Sequence, residues 1–206
     1  MIVSEEGPTP DWLRRSPTLA EAYGLASEAH RGQPGKDGRS PYIHHPLAVA
    51  ERLAREGHDE ATLAAAILHD VVERSGLGLG EVVARFGAEV GELVSALTDD
   101  RSISDYEARK REHRERVARA GPGAAAIYAA DKIVNVRELR RTFRSEGRAA
   151  LDRLKAPVDV RVRLWREDAA ILGRLGGASA LAAELRGELD ALEAELARAR
   201  RSAHVA

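Results

Sequence analysis

The sequence predicts an all-α protein, and three observations support this fold class. Its 206 residues are rich in alanine, leucine, arginine and glutamate, which are strong helix formers. Apolar residues recur at spacings of three and four through most of the chain, and no segment shows the clear alternation of a half-buried strand. Apolar residues make up 44% and charged residues 32% of the chain, which indicates a folded domain with a core.

The first predicted helix covers residues 16–31, with Ser16 or Thr18 near its N-cap. The next stretch, GQPGKDGRSPY, contains three glycines and two prolines and is therefore predicted to be a loop. A second helix should begin near His45 and Pro46, because a first helical turn accommodates proline.

Asp59 should cap a nearly all-apolar helix, EATLAAAILHDVVE, which we expect at the buried centre of the protein. The segments EVVARFG and AEVGELVSALTDD predict two short helices that meet at Gly87. The remaining predicted helices are residues 105–120, which are polar and largely exposed, a second buried segment AAAIYAADKIVNVRELRRTF, and residues 158–174 and 178–201.

The composition also excludes several classes of function. A net charge of −1 argues against binding to a nucleic-acid polymer, which normally leaves a basic surface. No apolar run approaches the roughly 18 residues of a membrane span, and MIVSEEGPTPDWLRR lacks the pattern of a secretory signal. The absence of cysteine fits the reducing cytoplasm and leaves mainly histidine, aspartate and glutamate to hold any metal.

We divide the chain into a short tail at residues 1–10, a helical domain at residues 11–176 and a C-terminal helix at residues 177–206. In the last helix, four leucines form a short coiled-coil seam: Leu185, Leu189, Leu192 and Leu196. Such a seam can pack on its own domain or form a homodimer, and the sequence leaves both possibilities open.

Charged residues stand in the two helices predicted to be buried. His69 and Asp70 follow six consecutive apolar residues, and Glu73 comes one turn later, so the three side chains should project toward one side. In the second buried helix, Asp131 also follows an apolar run. A buried carboxylate normally neutralises, pairs or binds a metal, so these positions are candidates for chemistry.

A further candidate is the doublet His44-His45 at the start of the second helix. Each group has a simpler interpretation. His69 could be a hydrogen-bonded core residue, Asp131 could pair with a neighbouring Lys132 or Arg137, and the doublet could be ordinary loop. Together, however, they offer imidazole and carboxylate ligands, which suit Mn²⁺, Fe²⁺, Zn²⁺ or Mg²⁺.

The pattern H…HD…D resembles that of the HD-domain phosphohydrolase superfamily. A longer stretch, AHRGQPGKDGRSPYIHHPLAVAERLAREGHDEATLAAAILHDVVE, resembles the hydrolase domain of Rel/Spo-type enzymes and the small alarmone (ppGpp) hydrolases. RFGAEVGELVSALTDD and AADKIVNVREL resemble the segments that follow in that family. The resemblance covers residues 19–140 and implies an HD-domain helical bundle to which the C-terminal helix is added.

The resemblance also implies a set of site residues. The implied ligands of one Mn²⁺, or another divalent metal, are His45, His69, Asp70 and Asp131. Glu73 would orient or activate the attacking water, and Asp131 would also belong to the catalytic group. The implied neighbours of a nucleotide substrate are Lys36, Asn135 and Arg137.

Two departures from the family pattern bear on the substrate. The family commonly has HDxxED, whereas this chain has Glu73-Arg74, so Arg74 would either contact a phosphate or pair with Glu73. The family loop usually carries Arg-Lys, whereas this loop has Gly35-Lys36. The predicted function is a (p)ppGpp 3′-pyrophosphohydrolase. The alternatives are an HD hydrolase of another nucleotide or phosphoester, and a catalytically silent nucleotide-binding module.

Overall fold

A computed structural model describes residues 10–205, with side chains as far as residue 202. Within these residues the chain forms eleven helices and one isolated bridge between Pro34 and Pro41, so the all-α prediction is confirmed. The predicted tail at residues 1–10 lies outside the described residues, apart from Pro10.

The helices in chain order are α1 (Asp11–Arg14), α2 (Pro17–Ala29), α3 (His44–Ala54), α4 (Glu60–Leu68), α5 (Val71–Arg74), α6 (Leu79–Leu97), α7 (Tyr106–Ala120), α8 (Pro122–Glu146), α9 (Arg148–Asp152), α10 (Val158–Leu172) and α11 (Ser179–Val205). The sequence-based prediction lacks the two short helices α1 and α9, which have four and five residues.

Local signals in the sequence set several helix ends. The side chains of Ser16 and Asp59 accept hydrogen bonds from the first turns of α2 and α4, as N-cap residues do. Gly87 lies inside α6 with a φ of 88°, which divides this helix into two segments. Glycine adopts such a φ at little cost because it has no Cβ atom.

Two buried helices form the centre of the fold. In α4, every residue from 62 to 68 is buried, and this helix packs against α2, α3 and α6. The long helix α8 packs against α3, α7 and α11, and its first half is almost entirely buried. The first turn of α3, the C-terminal end of α4 and the middle of α8 therefore come together inside the protein.

The helix α11 packs on α8 and α10 of its own chain. Leu185, Leu189 and Leu192 are fully buried there, so the structure places the leucine seam inside the protomer. The division of the chain at residue 177 stays a prediction. In the part of the chain that the structure describes, no helix combines the length and the apolar character needed to cross a membrane.

The predicted exposure of residues 105–120 is only partly correct. His113, Arg114 and Val117 of α7 are buried against the rest of the bundle. Val117 lies three and four residues after the adjacent Arg114 and His113, which places the three side chains on one side of the helix, and α8 and α10 cover that side.

Candidate active site

Three of the four predicted metal ligands lie together in the structure. Nitrogen or oxygen atoms of His45, His69 and Asp131 lie within 4.8 Å of one another and could hold a metal ion. Asp131 Oδ1 lies 3.1 Å from His45 Nε2 and 3.9 Å from His69 Nε2. We call this cluster the triad.

The HD doublet does not lie inside a continuous helix, so that part of the prediction is wrong. Helix α4 ends at Leu68, and His69 and Asp70 form the turn that leads into α5. The last carbonyls of a helix have no partner within the helix. His69 uses one of them, because its Nδ1 lies 2.8 Å from the Ala66 carbonyl oxygen.

The contacts of His69 fit a bound cation. Since Nδ1 donates to the Ala66 carbonyl, the lone pair of the ring is on Nε2, which is buried and has no hydrogen-bond partner among the described residues. That nitrogen lies 3.4 Å from Asp70 Oδ2 and 3.9 Å from Asp131 Oδ1. The nitrogen lone pair and the two carboxylates repel one another unless a cation lies between them. These residues therefore suit a divalent metal.

Glu138 holds the other side of the His45 ring. Its Oε1 lies 3.1 Å from His45 Nδ1, which leaves Nε2 directed toward Asp131. Burial alone would lower the pKa of His45, but the carboxylates of Asp131 and Glu138 raise it above its usual value. A carboxylate on the second ring nitrogen commonly orients a metal-binding histidine. Glu138 is not among the predicted site residues, although it lies two turns after Asp131 on α8.

The fourth predicted ligand, Asp70, lies at the edge of the triad. Its Oδ2 accepts a hydrogen bond from the Tyr42 hydroxyl. Burial would raise the pKa of Asp70, but electrostatic interactions with the neighbouring His69 and His45 rings and the hydrogen bond from Tyr42 lower it to about 2. Asp70 is therefore an ionised carboxylate beside the triad, and its role as a ligand stays a prediction.

Two of the predicted substrate residues reach the triad, and a third does not. Asn135 Nδ2 donates to Asp131 Oδ1 at 2.6 Å, and Lys36 Nζ donates to Asn135 Oδ1. Arg137 instead pairs with two glutamates of α11, Glu184 at 2.8 Å and Glu188 at 2.7 Å. Residues two apart on a helix face different sides, which explains why Asn135 and Arg137 separate.

Glu73 and Arg74 have different partners. Glu73 Oε1 lies 3.4 Å from a guanidinium nitrogen of Arg101. The Arg74 guanidinium lies 3.9 Å above the centre of the Tyr42 ring, and the Arg74 carbonyl accepts a hydrogen bond from Gln33. The structure therefore shows neither an Arg74–Glu73 ion pair nor, within residues 10–202, any other carboxylate paired with Arg74.

The triad opens into a cavity of about 540 Å³. Eight cationic side chains line this cavity: Lys36, Arg74, Arg101, Arg109, Lys110, Lys132, Lys155 and Arg161. Such a wall complements a ligand with several phosphate groups. Lys155 and Arg161 are not among the predicted site residues, because they lie beyond residue 140, where the resemblance ends.

Comparison with known proteins supports this architecture. Residues 22–158 match the model of the HD domain. The chain belongs to the HD domain family. Over 126 residues, the chain is 43% identical to mouse guanosine-3′,5′-bis(diphosphate) 3′-pyrophosphohydrolase MESH1. This match covers 60% of the present chain and 70% of the mouse protein. It is also 39% identical over 125 residues to a GTP pyrophosphokinase of Streptomyces coelicolor, of which the match covers 15%.

Solved structures show the same fold. A metazoan ortholog of SpoT that hydrolyzes ppGpp superposes with a TM-score of 0.73 at 29% identity, over 89% of this chain and 97% of the other. A protein of Listeria monocytogenes superposes with a TM-score of 0.62 at 25% identity, over 71% and 99% of the two chains. The predicted relationship to Rel/Spo hydrolase domains and small alarmone hydrolases is thus confirmed.

Proposed function

We propose that this HD domain is a metal-dependent 3′-pyrophosphohydrolase of guanosine 3′,5′-bis(diphosphate), ppGpp. The observation that carries the proposal is the buried triad at the end of a cationic cavity, in a chain 43% identical to the mouse enzyme of that activity. The absence of cysteine supports a cytoplasmic location for this reaction.

We propose Mn²⁺ as the metal, with another divalent ion as the alternative. His45, His69 and Asp131 would hold it, with Asp70 as a fourth ligand. Imidazole and carboxylate ligands without sulfur suit such ions. A divalent metal supplies positive charge for the phosphoryl oxygens and lowers the pKa of water.

The side chains around the triad have separate tasks in this proposal. The Glu73 carboxylate accepts a proton from the attacking water, whose oxygen forms a bond to the 3′-linked phosphorus. The bond between that phosphorus and the ribose 3′-oxygen breaks, the 3′-oxygen takes up a proton, and pyrophosphate leaves. Lys36 and Asn135, which are connected by a hydrogen bond, would bind the phosphates and the ribose beside the triad.

The proposal is tested with purified protein that carries Mn²⁺, incubated with ppGpp and a panel of other nucleotides. We expect GDP and pyrophosphate as products from ppGpp. No turnover of any member, with the metal demonstrably bound, would contradict an enzymatic function. Release of a nucleoside and phosphate would instead indicate an HD hydrolase of another phosphoester.

The alternative function is a silent nucleotide-binding module, because Arg74 stands where the family pattern commonly has aspartate. Substitutions of Arg74 distinguish this alternative from an enzyme. We propose that Arg74 contacts a phosphate, because no carboxylate within residues 10–202 pairs with its guanidinium and the Tyr42 ring supports it. Arg74→Ala should then raise the KM for ppGpp by about tenfold or more, the usual effect of losing a hydrogen bond to a charged group. Arg31→Ala is the matched control, because that side chain is 75% exposed and pairs with Glu28 outside the cavity.

The variant Arg74→Asp separates the two functions. Activity in this variant that the wild type lacks would support the silent module. Loss of an activity that the wild type shows would support a substrate contact, and an unchanged KM in Arg74→Ala would contradict it.

A further inference from the structure

A third imidazole lies in the wall of the same cavity, outside the triad. His113 on α7 is 5% exposed, and its Nδ1 lies 2.7 Å from Asp99 Oδ1. Neither residue has a role in the reaction as proposed above. Asp99 follows α6 and His113 lies on α7, so the pair connects two elements that line the cavity.

Asp99 determines which ring nitrogen of His113 carries the proton. Burial alone would raise the pKa of Asp99, but the contacts with His113 and Lys110 hold it well below its usual range. Lys110 Nζ lies 2.5 Å from Asp99 Oδ2, and Arg109 Nε lies 3.5 Å from the same oxygen. The 2.7 Å contact between His113 Nδ1 and Asp99 Oδ1 is not aligned as a hydrogen bond, but an ionised carboxylate has no proton to give and repels a lone pair at that distance, which places the proton of the neutral ring on Nδ1.

The other nitrogen of the ring is left as an acceptor. His113 Nε2 is buried and has no hydrogen-bond partner among the described residues. The ring packs edge-on against Tyr128, with centroids 5.0 Å apart. Burial and the positive charges of Lys132 and Lys110 outweigh the contact with Asp99 and lower the pKa of His113, which favours the neutral ring.

We propose that His113 is a specificity-determining residue whose Nε2 accepts a hydrogen bond from the nucleoside part of the substrate. The cationic side chains of the cavity are donors, and phosphate oxygens satisfy them. A ligand made only of phosphates would leave the buried Nε2 unsatisfied, which costs binding energy. The inference rests on the proposed function, because it requires a ligand that carries a donor close to its phosphates.

The chemistry of ppGpp limits the possible donors. Its 3′ and 5′ oxygens are esterified, so the ribose 2′-hydroxyl is the only sugar donor. The 2-amino group and N1–H of guanine are the donors of the base. Two analogues separate the sugar from the amino group: 2′-deoxy-ppGpp, and the inosine analogue that lacks the 2-amino group.

The kinetic test compares the wild type with His113→Leu, His113→Gln and Asp99→Asn on these substrates. For wild type, removing the recognised donor should lower kcat/KM by about 10- to 100-fold. His113→Leu should lower kcat/KM for ppGpp by a similar factor. On the analogue that lacks the donor, its kcat/KM should be close to that of the wild type. His113→Gln should recover most of the loss, because its amide oxygen can take the place of Nε2.

Asp99→Asn provides a sharper test, because an amide can donate to Nδ1 and so shift the proton to Nε2. This variant should therefore lose activity like His113→Leu, although the imidazole is still present. If His113→Leu keeps wild-type kcat/KM on ppGpp, or loses the same further factor on both analogues as on ppGpp while His113→Gln recovers none of the loss, the inference is wrong. Absence of turnover in the wild type would contradict the proposed function instead.

A spectroscopic measurement tests the inference without turnover. Nitrogen-15 NMR of the seven histidines, with His113 assigned by its loss in His113→Gln, should show a neutral ring protonated on Nδ1 at neutral pH. Asp99→Asn should convert it to the other tautomer. A charged ring, or a wild-type ring protonated on Nε2, would overturn the inference.

Discussion

His45→Ala is expected to remove metal binding and to lower kcat/KM for ppGpp by about a thousandfold, whereas His44→Ala should leave both nearly unchanged. His45 is buried, with Nε2 at 3.1 Å from Asp131, while its neighbour His44 is exposed. A divalent metal contributes several kcal/mol of charge stabilisation in the transition state, and about 4 kcal/mol corresponds to a factor of about a thousand.

The experiment measures metal per chain after dialysis against Mn²⁺, together with steady-state kinetics on ppGpp. His44 is a close control because the two histidines are adjacent in the first turn of α3. Full metal content in His45→Ala would contradict the triad as a metal site. Equal losses in both variants would indicate general damage to α3.

Arg114→Ala should lower the free energy of unfolding by about 3–5 kcal/mol, because it leaves a buried carboxylate without its cation. Arg114 and Asp168 are 6% and 3% exposed, and Arg114 Nε lies 2.6 Å from Asp168 Oδ1. The Tyr128 hydroxyl also donates to that oxygen at 3.2 Å. A domain is typically stable by only about 5–15 kcal/mol, so the loss should be obvious.

Chemical denaturation, followed by two independent probes, measures this effect. Arg163→Ala is the control, because its pair with Glu107 is about half exposed on both sides and should contribute less than about 1 kcal/mol. The double variant Arg114→Met/Asp168→Leu should recover much of the lost stability, since apolar residues of similar volume can replace a buried ion pair. A loss below about 1 kcal/mol in Arg114→Ala would show that Asp168 is satisfied by other groups.

Much of the fold could be predicted from the sequence because its helices are long and periodic. The caps at Ser16 and Asp59 and the break at Gly87 depend on local chemistry that a sequence displays directly. The sequence does not reveal the break after Leu68, because the apolar pattern continues past that residue. The helix ends where the His69 side chain hydrogen-bonds to the Ala66 carbonyl oxygen. The single-turn helices α1 and α9 are too short to show a period.

The candidate site was predictable only in part, for a related reason. The triad residues stand in recognisable motifs, but their supporting groups come from distant parts of the chain: Glu138 contacts His45 from 93 residues away. The charged run of α7 suggests a solvated face, and only the spacing of Tyr106, Lys110 and His113 hints that one side lines a cavity. Arg137 is the opposite case: it stands in a recognisable motif, but the helix turns its side chain toward α11, and its predicted contact with the substrate stays a prediction.

The ion pairs between α8 and α11 have a consequence for how far this chain can be shortened. Arg140 and Arg144 pair with Glu195, just as Arg137 pairs with Glu188, all on the side of α8 that faces α11. The same helix presents Asp131 and Asn135 to the cavity. A chain cut back to the matched residues 22–158 would keep every triad residue. It would, however, expose the apolar and arginine-rich side of α8 that packs against α11. The C-terminal helix α11 therefore supports the back of α8, and we expect the smallest stable unit to be longer than the matched residues 22–158.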